Sequence, residues 1–342
     1  MSRLPNDREV SLDGVALGPE GARAIEKVWL VACGTAYHAG LVGRTLIERL
    51  AGIPAEADLG SEFRYREPLV GARQLTVAIS QSGETADTIA AARHARTQGA
   101  RVLAMANVVG STLAREADDV LYTRAGPEIA VCSTKAYLTQ LAALTMLAVH
   151  LGEARGTLPA PRVASLIQGL RALPSQAQAV LLAEPEVAAL AERLYRTEDV
   201  FFIGRGVDYS VAMEGSLKFK EISYIHSEAL AGGELKHGTL ALVTPGVVVV
   251  ALATQPDLLD KTVSNIQQVR ARGADVIGVA TEVTADVLAP HVNTLLRVPA
   301  TDPALAPVLS VIPLQLFAYH VARLRGNDVD QPRNLAKSVT VE

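Results

Sequence analysis

Short apolar runs alternate with longer amphipathic stretches along the whole chain. In the first half, residues 28–33, 75–79, 101–106 and 119–123 are compact runs rich in Val, Leu and Ile, the pattern of buried strands. Between and after them, apolar residues recur at helical spacing near 37–51, 86–98, 112–116 and 134–151. The second half repeats the rhythm, with strands expected at 200–204, 247–253, 275–280 and 293–298. A helical stretch at 163–196 joins the halves, and 308–325 reads as a last long helix. Strands alternating with helices predict an α/β fold, with a mostly parallel, doubly wound sheet flanked by helices in each half. Gly156-Thr-Leu-Pro-Ala-Pro161 is rich in chain breakers and marks a boundary. The expected organisation is a first domain over 1–156, a second over 157–325, and a C-terminal tail over 326–342.

The halves also match residue by residue. At an offset of 172 positions, Gly34 falls on Gly206, Tyr37 on Tyr209 and Gly43 on Gly215. The same offset pairs Glu56 with Glu228, Ala57 with Ala229, Gly60 with Gly232 and Glu62 with Glu234. With two residues inserted, 99–103 falls on 273–277. These pairs predict a duplicated domain. A chain of 342 residues with 49% hydrophobic content can bury two cores of ordinary size.

Candidate chemistry begins at Ser80-Gln81-Ser82-Gly83-Glu84-Thr85, which leaves an expected strand and enters an expected helix. The first turn of a helix has unpaired N–H groups and the positive end of the macrodipole, so an anion placed there meets ready donors. Ser80, Ser82 and Thr85 add hydroxyls, and Gly83 lets the main chain approach closely. The chain has no Gly-Lys-Ser/Thr of a nucleotide P-loop, and no G-x-G-x-x-G follows a strand, so the expected ligand is a small phosphorylated molecule. Taken alone, the hexapeptide also fits an ordinary capped turn. In open α/β sheets ligands sit beyond the carboxyl ends of the strands, where the polar loops 34–36, 80–85 and 127–134 are expected to converge on one phosphosugar.

Charge and composition narrow the partners. A formal net charge of -4 gives no global basic field, which argues against nucleic acid or an anionic membrane surface. The richest apolar run, 247–253, is far shorter than a membrane span, and the N-terminus lacks the pattern of a signal peptide, so a cytoplasmic location is expected. Cys33 and Cys132 form no C-x-x-C pair and the seven histidines are scattered, so neither metal nor cofactor is expected.

Several longer stretches resemble one family. They are Cys33-Gly-Thr-Ala-Tyr-His-Ala-Gly40, Ser80-Gln-Ser-Gly-Glu-Thr-Ala-Asp87, Arg124-Ala-Gly-Pro-Glu128, Ser133-Thr-Lys-Ala136, the run from Glu214 to His226, Gly233-Glu-Leu-Lys-His-Gly238, and Asp328-Val-Asp-Gln-Pro-Arg-Asn-Leu-Ala-Lys337. Over nearly its full length the chain resembles the isomerase half of glucosamine-6-phosphate synthase (glutamine:fructose-6-phosphate amidotransferase), which is built from two tandem sugar-isomerase (SIS) domains. The resemblance implies that fructose 6-phosphate is held by its phosphate at Ser80, Gln81, Ser82 and Thr85, with Thr35 in the neighbouring loop and the sugar near Val131 and Ala336. It also implies a catalytic set. Lys337 would form a Schiff base with the open-chain ketose, and Glu221 would move a proton between carbons one and two. His237, reaching in from the neighbouring subunit of a homodimer, would open the ring. Lys218 would stabilise oxyanion charge. The expected activity converts fructosimine 6-phosphate to glucosamine 6-phosphate, and interconverts fructose and glucose 6-phosphates.

Spacing alone says less. Glu214, Lys218 and Glu221 stand at i, i+4 and i+7, one face of a helix, which without the resemblance reads as a solvated ion-pair stripe. His237 alone reads as a surface or core histidine, and Lys337 as a mobile tail residue. Two departures from the family pattern stand out. Ala36 takes a position where the family usually carries a phosphate-facing serine, and the glutaminase domain that precedes the isomerase in the complete synthase is not expected in this chain, which reads as either an excised isomerase domain or a stand-alone relative. Nitrogen would then come from a separate glutaminase domain or from free ammonia. Two other readings share the Ser-x-Ser pocket: a non-catalytic phosphosugar sensor, and an SIS-type amino-sugar deaminase or deglycase. Glu221, His237 and Lys337 together argue against the sensor, and the 328–337 segment against the deaminase or deglycase.

Overall fold

The computed structural model describes residues 3–6 and 8–341. It divides the chain into two compact units, one of residues up to Arg171 together with those from Ala336 onward, the other Ala172–Leu335.

The first unit is a five-stranded parallel sheet of β1 (Lys27–Ala32), β2 (Ala55–Leu59), β3 (Gln74–Ser80), β4 (Arg101–Ala106) and β5 (Asp119–Tyr122), in the order β2-β1-β3-β4-β5. Its helices are α1 (Pro19–Ala24), α2 (Gly34–Leu46, continued by a π-turn Ile47–Ala51), α3 (Gly60–Phe63), α4 (Ala86–Thr97), α5 (Thr112–Glu116) and α6 (Lys135–Arg155). The interior strands β1, β3 and β4 are buried on both faces, as parallel strands under helices must be, which is why they read as continuous apolar runs. On one face Trp29, Val31, Ile89, Ala91 and Val102 form a core, with Trp29 edge-on to Phe63 at 5.5 Å.

α7 (Ala160–Leu182) holds the division between units. The second unit contains α8 (Glu184–Leu194), β6 (Asp199–Gly204), α9 (Val207–Ser223), β7 (His226–Ala231), β8 (Val248–Leu252), α10 (Leu259–Arg270), β9 (Asp275–Thr281), α11 (Glu282–Leu288), β10 (Thr294–Val298) and α12 (Ala306–Leu324). Its sheet, also parallel, runs β7-β6-β8-β9-β10, the same topology as the first. The duplication read from the sequence extends to backbone detail. Trp29 lies opposite Glu56 and Phe201 opposite Glu228, the same pairing at the 172-residue offset. Gly34 at the start of α2 and Gly206 just ahead of α9 both have positive φ, 54° and 58°, a conformation that glycine adopts without steric cost.

Three expectations need correction. The edge strands β2 and β7 are absent from the sequence reading, because Ala-Glu-Ala-Asp-Leu and His-Ser-Glu-Ala-Leu-Ala carry the charge and low β-propensity of an exposed edge. The helical stretch 163–196 is two helices, α7 and α8, parted at Ala183 ahead of Pro185. α12, at 19 residues, is long and apolar enough by length and composition to cross a membrane, although no long apolar run was expected. It packs against α8 and α9, and 67% of its apolar window is buried inside the protein.

Candidate functional site

β3 ends at Ser80, and the chain turns through Gln81–Thr85 into α4, as the residue pattern predicts. The turn is tied by its own hydroxyls. Ser80 Oγ accepts the Gly83 N–H at 3.0 Å and lies 2.9 Å from the Thr85 hydroxyl, while Ser82 Oγ accepts the Glu84 N–H at 3.1 Å. Gly83 has φ +66°, and a Cβ there would stand 2.0 Å from Ser111 Oγ, so any other residue is excluded by strain and by space. The Glu84 carboxylate accepts the Thr112 N–H at 2.7 Å, and that bond holds it below the usual carboxylate range.

The chain's last residues dock on this turn. The Ser338 and Ser82 hydroxyls are 3.0 Å apart, and Val339 O accepts the Ala86 N–H at 3.0 Å, satisfying one unpaired donor at the start of α4. Lys337 Nζ donates to Glu128 Oε2 and to Ala130 O, both at 2.8 Å. Glu128 is nearly buried and has three further donors: Ser133 Oγ at 3.1 Å, Thr134 N at 2.8 Å and Ala136 N at 3.2 Å. Two of these are main-chain donors at the start of α6. Burial pushes the Glu128 carboxyl up, but the Lys337 hydrogen bond, the main-chain donors and the Lys337 charge outweigh it and hold the group below its ordinary value. Val131 is half-buried beside Ala130, and Ala336 is exposed. Thr35 is half-buried in the first turn of α2, where Ala36 is buried.

The remaining predicted residues belong to the second unit. On α9, Lys218 Nζ lies 2.6 Å from Glu221 Oε2 and 3.3 Å from Glu214 Oε1. Glu214 and Lys218 are fully buried and Glu221 is 22% exposed, so the face that spacing alone makes a solvated stripe is an interior charge cluster. Beyond α9, Tyr224 has φ +59°, its hydroxyl accepts the Arg333 N–H at 2.8 Å, and Asn327 Nδ2 donates to Ile222 O at 2.8 Å. These bonds anchor the start of the C-terminal segment. His237 ends the 3₁₀ turn Gly232–His237 and is exposed.

The structure thus joins Ser80, Ser82, Thr85 and the Lys337 segment in one unit, and Lys218 with Glu221 in the other. Sequence reasoning assigned no role to Glu128, though it quoted the stretch that ends there, nor to Ser338. A carboxylate a few residues ahead of Ser133-Thr134 and a long apolar helix was the available signal for a cap. Among the described residues no group of three or more His, Cys, Asp or Glu side chains could hold a metal ion.

Two units of one parallel-sheet topology, the first with a Ser-rich turn at its switch point, define a class, and comparison with known proteins gives it its family. The SIS domain model matches twice, over residues 23–150 and 193–325, and the chain belongs to the SIS domain family. Within it, the chain is similar to glutamine–fructose-6-phosphate aminotransferase (isomerizing) of Symbiobacterium thermophilum, with 62% identity over 333 residues, 97% of this chain and 54% of that protein. The protein of that name from Caldanaerobacter subterraneus is 55% identical over 340 residues, 99% of this chain and 56% of that protein. The chain therefore spans about half the length of the curated relatives it matches. Among solved structures, the C-terminal domain of glucosamine-fructose-6-phosphate aminotransferase from Francisella tularensis is 40% identical, with a TM-score of 0.90 and coverage of 96% of this chain and 93% of that one. A glucosamine-6-phosphate deaminase from Thermotoga maritima, 23% identical with a TM-score of 0.71 over 92% of this chain and 90% of that one, shares the fold.

Proposed function

We propose that this chain is a ketose–aldose isomerase of the glucosamine-6-phosphate synthase type, acting on fructose 6-phosphate as a cytoplasmic homodimer. The observation that carries the reading is the docking of Lys337 and Ser338 in the same unit as the Ser80–Thr85 turn. A phosphosugar anchored by that turn has a primary amine within the segment that covers it. Relatives named glutamine–fructose-6-phosphate aminotransferase (isomerizing), matching nearly the whole of this chain, support the same reading.

The phosphate takes the hydroxyls of Ser80, Ser82 and Thr85, the Gln81 side chain and the main-chain donors at the start of α4, with Thr35 alongside and the sugar lying by Val131 and Ala336. His237 of a second copy opens the ring by moving a proton from the anomeric hydroxyl to the ring oxygen. Lys337 leaves Glu128 and Ala130 and gives its extra proton to water. Its nitrogen lone pair then bonds to carbon two, the carbonyl π-pair passes to oxygen, and that oxygen leaves as water after taking two protons. Glu221 moves the proton between carbons one and two, and the Lys218 ammonium, 2.6 Å from it, offsets the charge that develops on oxygen. Nitrogen for glucosamine 6-phosphate comes from a glutaminase domain or from ammonia.

Borohydride reduction in the presence of fructose 6-phosphate, followed by peptide mass analysis, tests this. A reduced sugar adduct on Lys337 is expected, and fructose 6-phosphate binding without adduct or turnover would replace the enzyme with a sensor.

A further inference from the structure

Both sheets have a switch point beside their first strand, between β1 and β3 and between β6 and β8, and an anion beyond those strand ends meets main-chain donors. The registers put the two on one footing. Val28 faces Ala55 and Leu75 in the first sheet, and Val200 faces Ser227 and Val248 in the second. By that correspondence the turn Ser80-Gln81-Ser82-Gly83 becomes Ala253-Thr254-Gln255-Pro256, and Ala36 in the first turn of α2 becomes Asp208 in the first turn of α9.

Those exchanges change what each switch point contains. Asp208 is 1% exposed, and its carboxylate accepts the Thr254 N–H at 2.8 Å and the Thr254 hydroxyl at 2.5 Å. Gln255, also buried, donates from Nε2 to Thr254 Oγ1 and to Pro303 O, each at 3.1 Å. Thr284 closes the other side by donating to Ala253 O at 2.6 Å. Pro256, at the position of Gly83, has no N–H to give. We propose that Asp208 is a built-in anion that occupies the second switch point, so that the second unit accepts no phosphosugar and each chain binds one. A phosphate brought to Thr254 meets a carboxylate already on its donors, at buried residues where charge repulsion is weakly screened. The one-per-chain count rests on the functional reading above, whereas the occupancy of the switch point does not.

The test is chemical rescue. Asp208→Ala vacates the position, and Asp208→Ser does so while leaving a hydroxyl for the Thr254 N–H, in case the alanine variant fails to fold. Formate, acetate or inorganic phosphate, compared with chloride at equal ionic strength, is expected to raise the Tm of either variant by about 2 °C or more. Wild type and Asp208→Asn, whose position stays filled, are expected to show no such rise. Equal responses in all four proteins would overturn the proposal, as would calorimetry showing two fructose 6-phosphate molecules per wild-type chain. If wild type binds no fructose 6-phosphate at all, the functional reading falls and the rescue experiment still decides the role of Asp208.

Discussion

Lys218 and Lys337 are both paired with glutamates, in regions of opposite character. Lys218 lies in the interior of α9, a 17-residue helix, 1% exposed between Glu214 and Glu221. Lys337 lies in an irregular terminal segment, 27% exposed, and leans on one carboxylate and one carbonyl. A helix fixes the backbone under the first, and the second is held by a handful of hydrogen bonds that can be exchanged for others. The contrast suits the two roles proposed: a fixed charge can stabilise an oxyanion without reorganising, while a nucleophile must approach a carbonyl.

The largest effect that could break this comparison is on stability. Lys218→Met removes the ammonium that pairs with buried Glu214 and with Glu221, and a loss of about 3–5 kcal/mol is expected in chemical denaturation. A near-neutral result would mean that the cluster is not a fixed ionic unit. Next comes Ser82→Ala, which removes the hydroxyl shared by the Ser80–Thr85 turn and the terminal segment. Fructose 6-phosphate affinity should fall by about 1.5–3 kcal/mol, the worth of a hydrogen bond to a charged group, as read by calorimetry. Lys337→Met is expected to abolish the borohydride adduct yet cost only about 1 kcal/mol of stability, because solvent already screens part of its pairing. A cost as large as that of Lys218→Met would erase the distinction between the two lysines.

The smallest expected effect is on pH dependence. The Glu128 carboxyl is held below its ordinary value in the folded protein, so its contribution is fully present above about pH 4.3 and is lost as pH falls through the lower folded value. Exchange of the Ala86 amide, which donates to Val339 O, reports whether the terminal segment is docked. After correction for intrinsic rates, its protection should be flat from about pH 5 to 8 and should fall in acid. Protection that responds to pH equally in Lys337→Met would remove Glu128 from the account.

How much of this was legible depended on where each residue's partners lie. The interior strands β1, β3, β4, β6, β8 and β9 were visible because burial on both faces demands unbroken apolar runs. The Ser80–Thr85 turn was visible because a strand-to-helix junction with hydroxyls and glycine is a local motif. Glu214 and Lys218 appeared on one helix face, but their burial depended on what packs over that face. Glu128 was hidden because Lys337, its ion-pair partner, lies 209 residues away.

The sequence by itself determined the duplication, the alternation of strand and helix, and the place of the Ser80–Thr85 turn, because these follow from periodicity and from neighbours within a few positions. Only the tertiary structure decided that Lys337 rests on Glu128, that the α9 charges are interior, and that Asp208 fills one switch point while Ala36 leaves its counterpart with a bare methyl. Each of those outcomes is a contact between groups far apart in the chain or a degree of burial, and both exist only once the sheets and helices have packed.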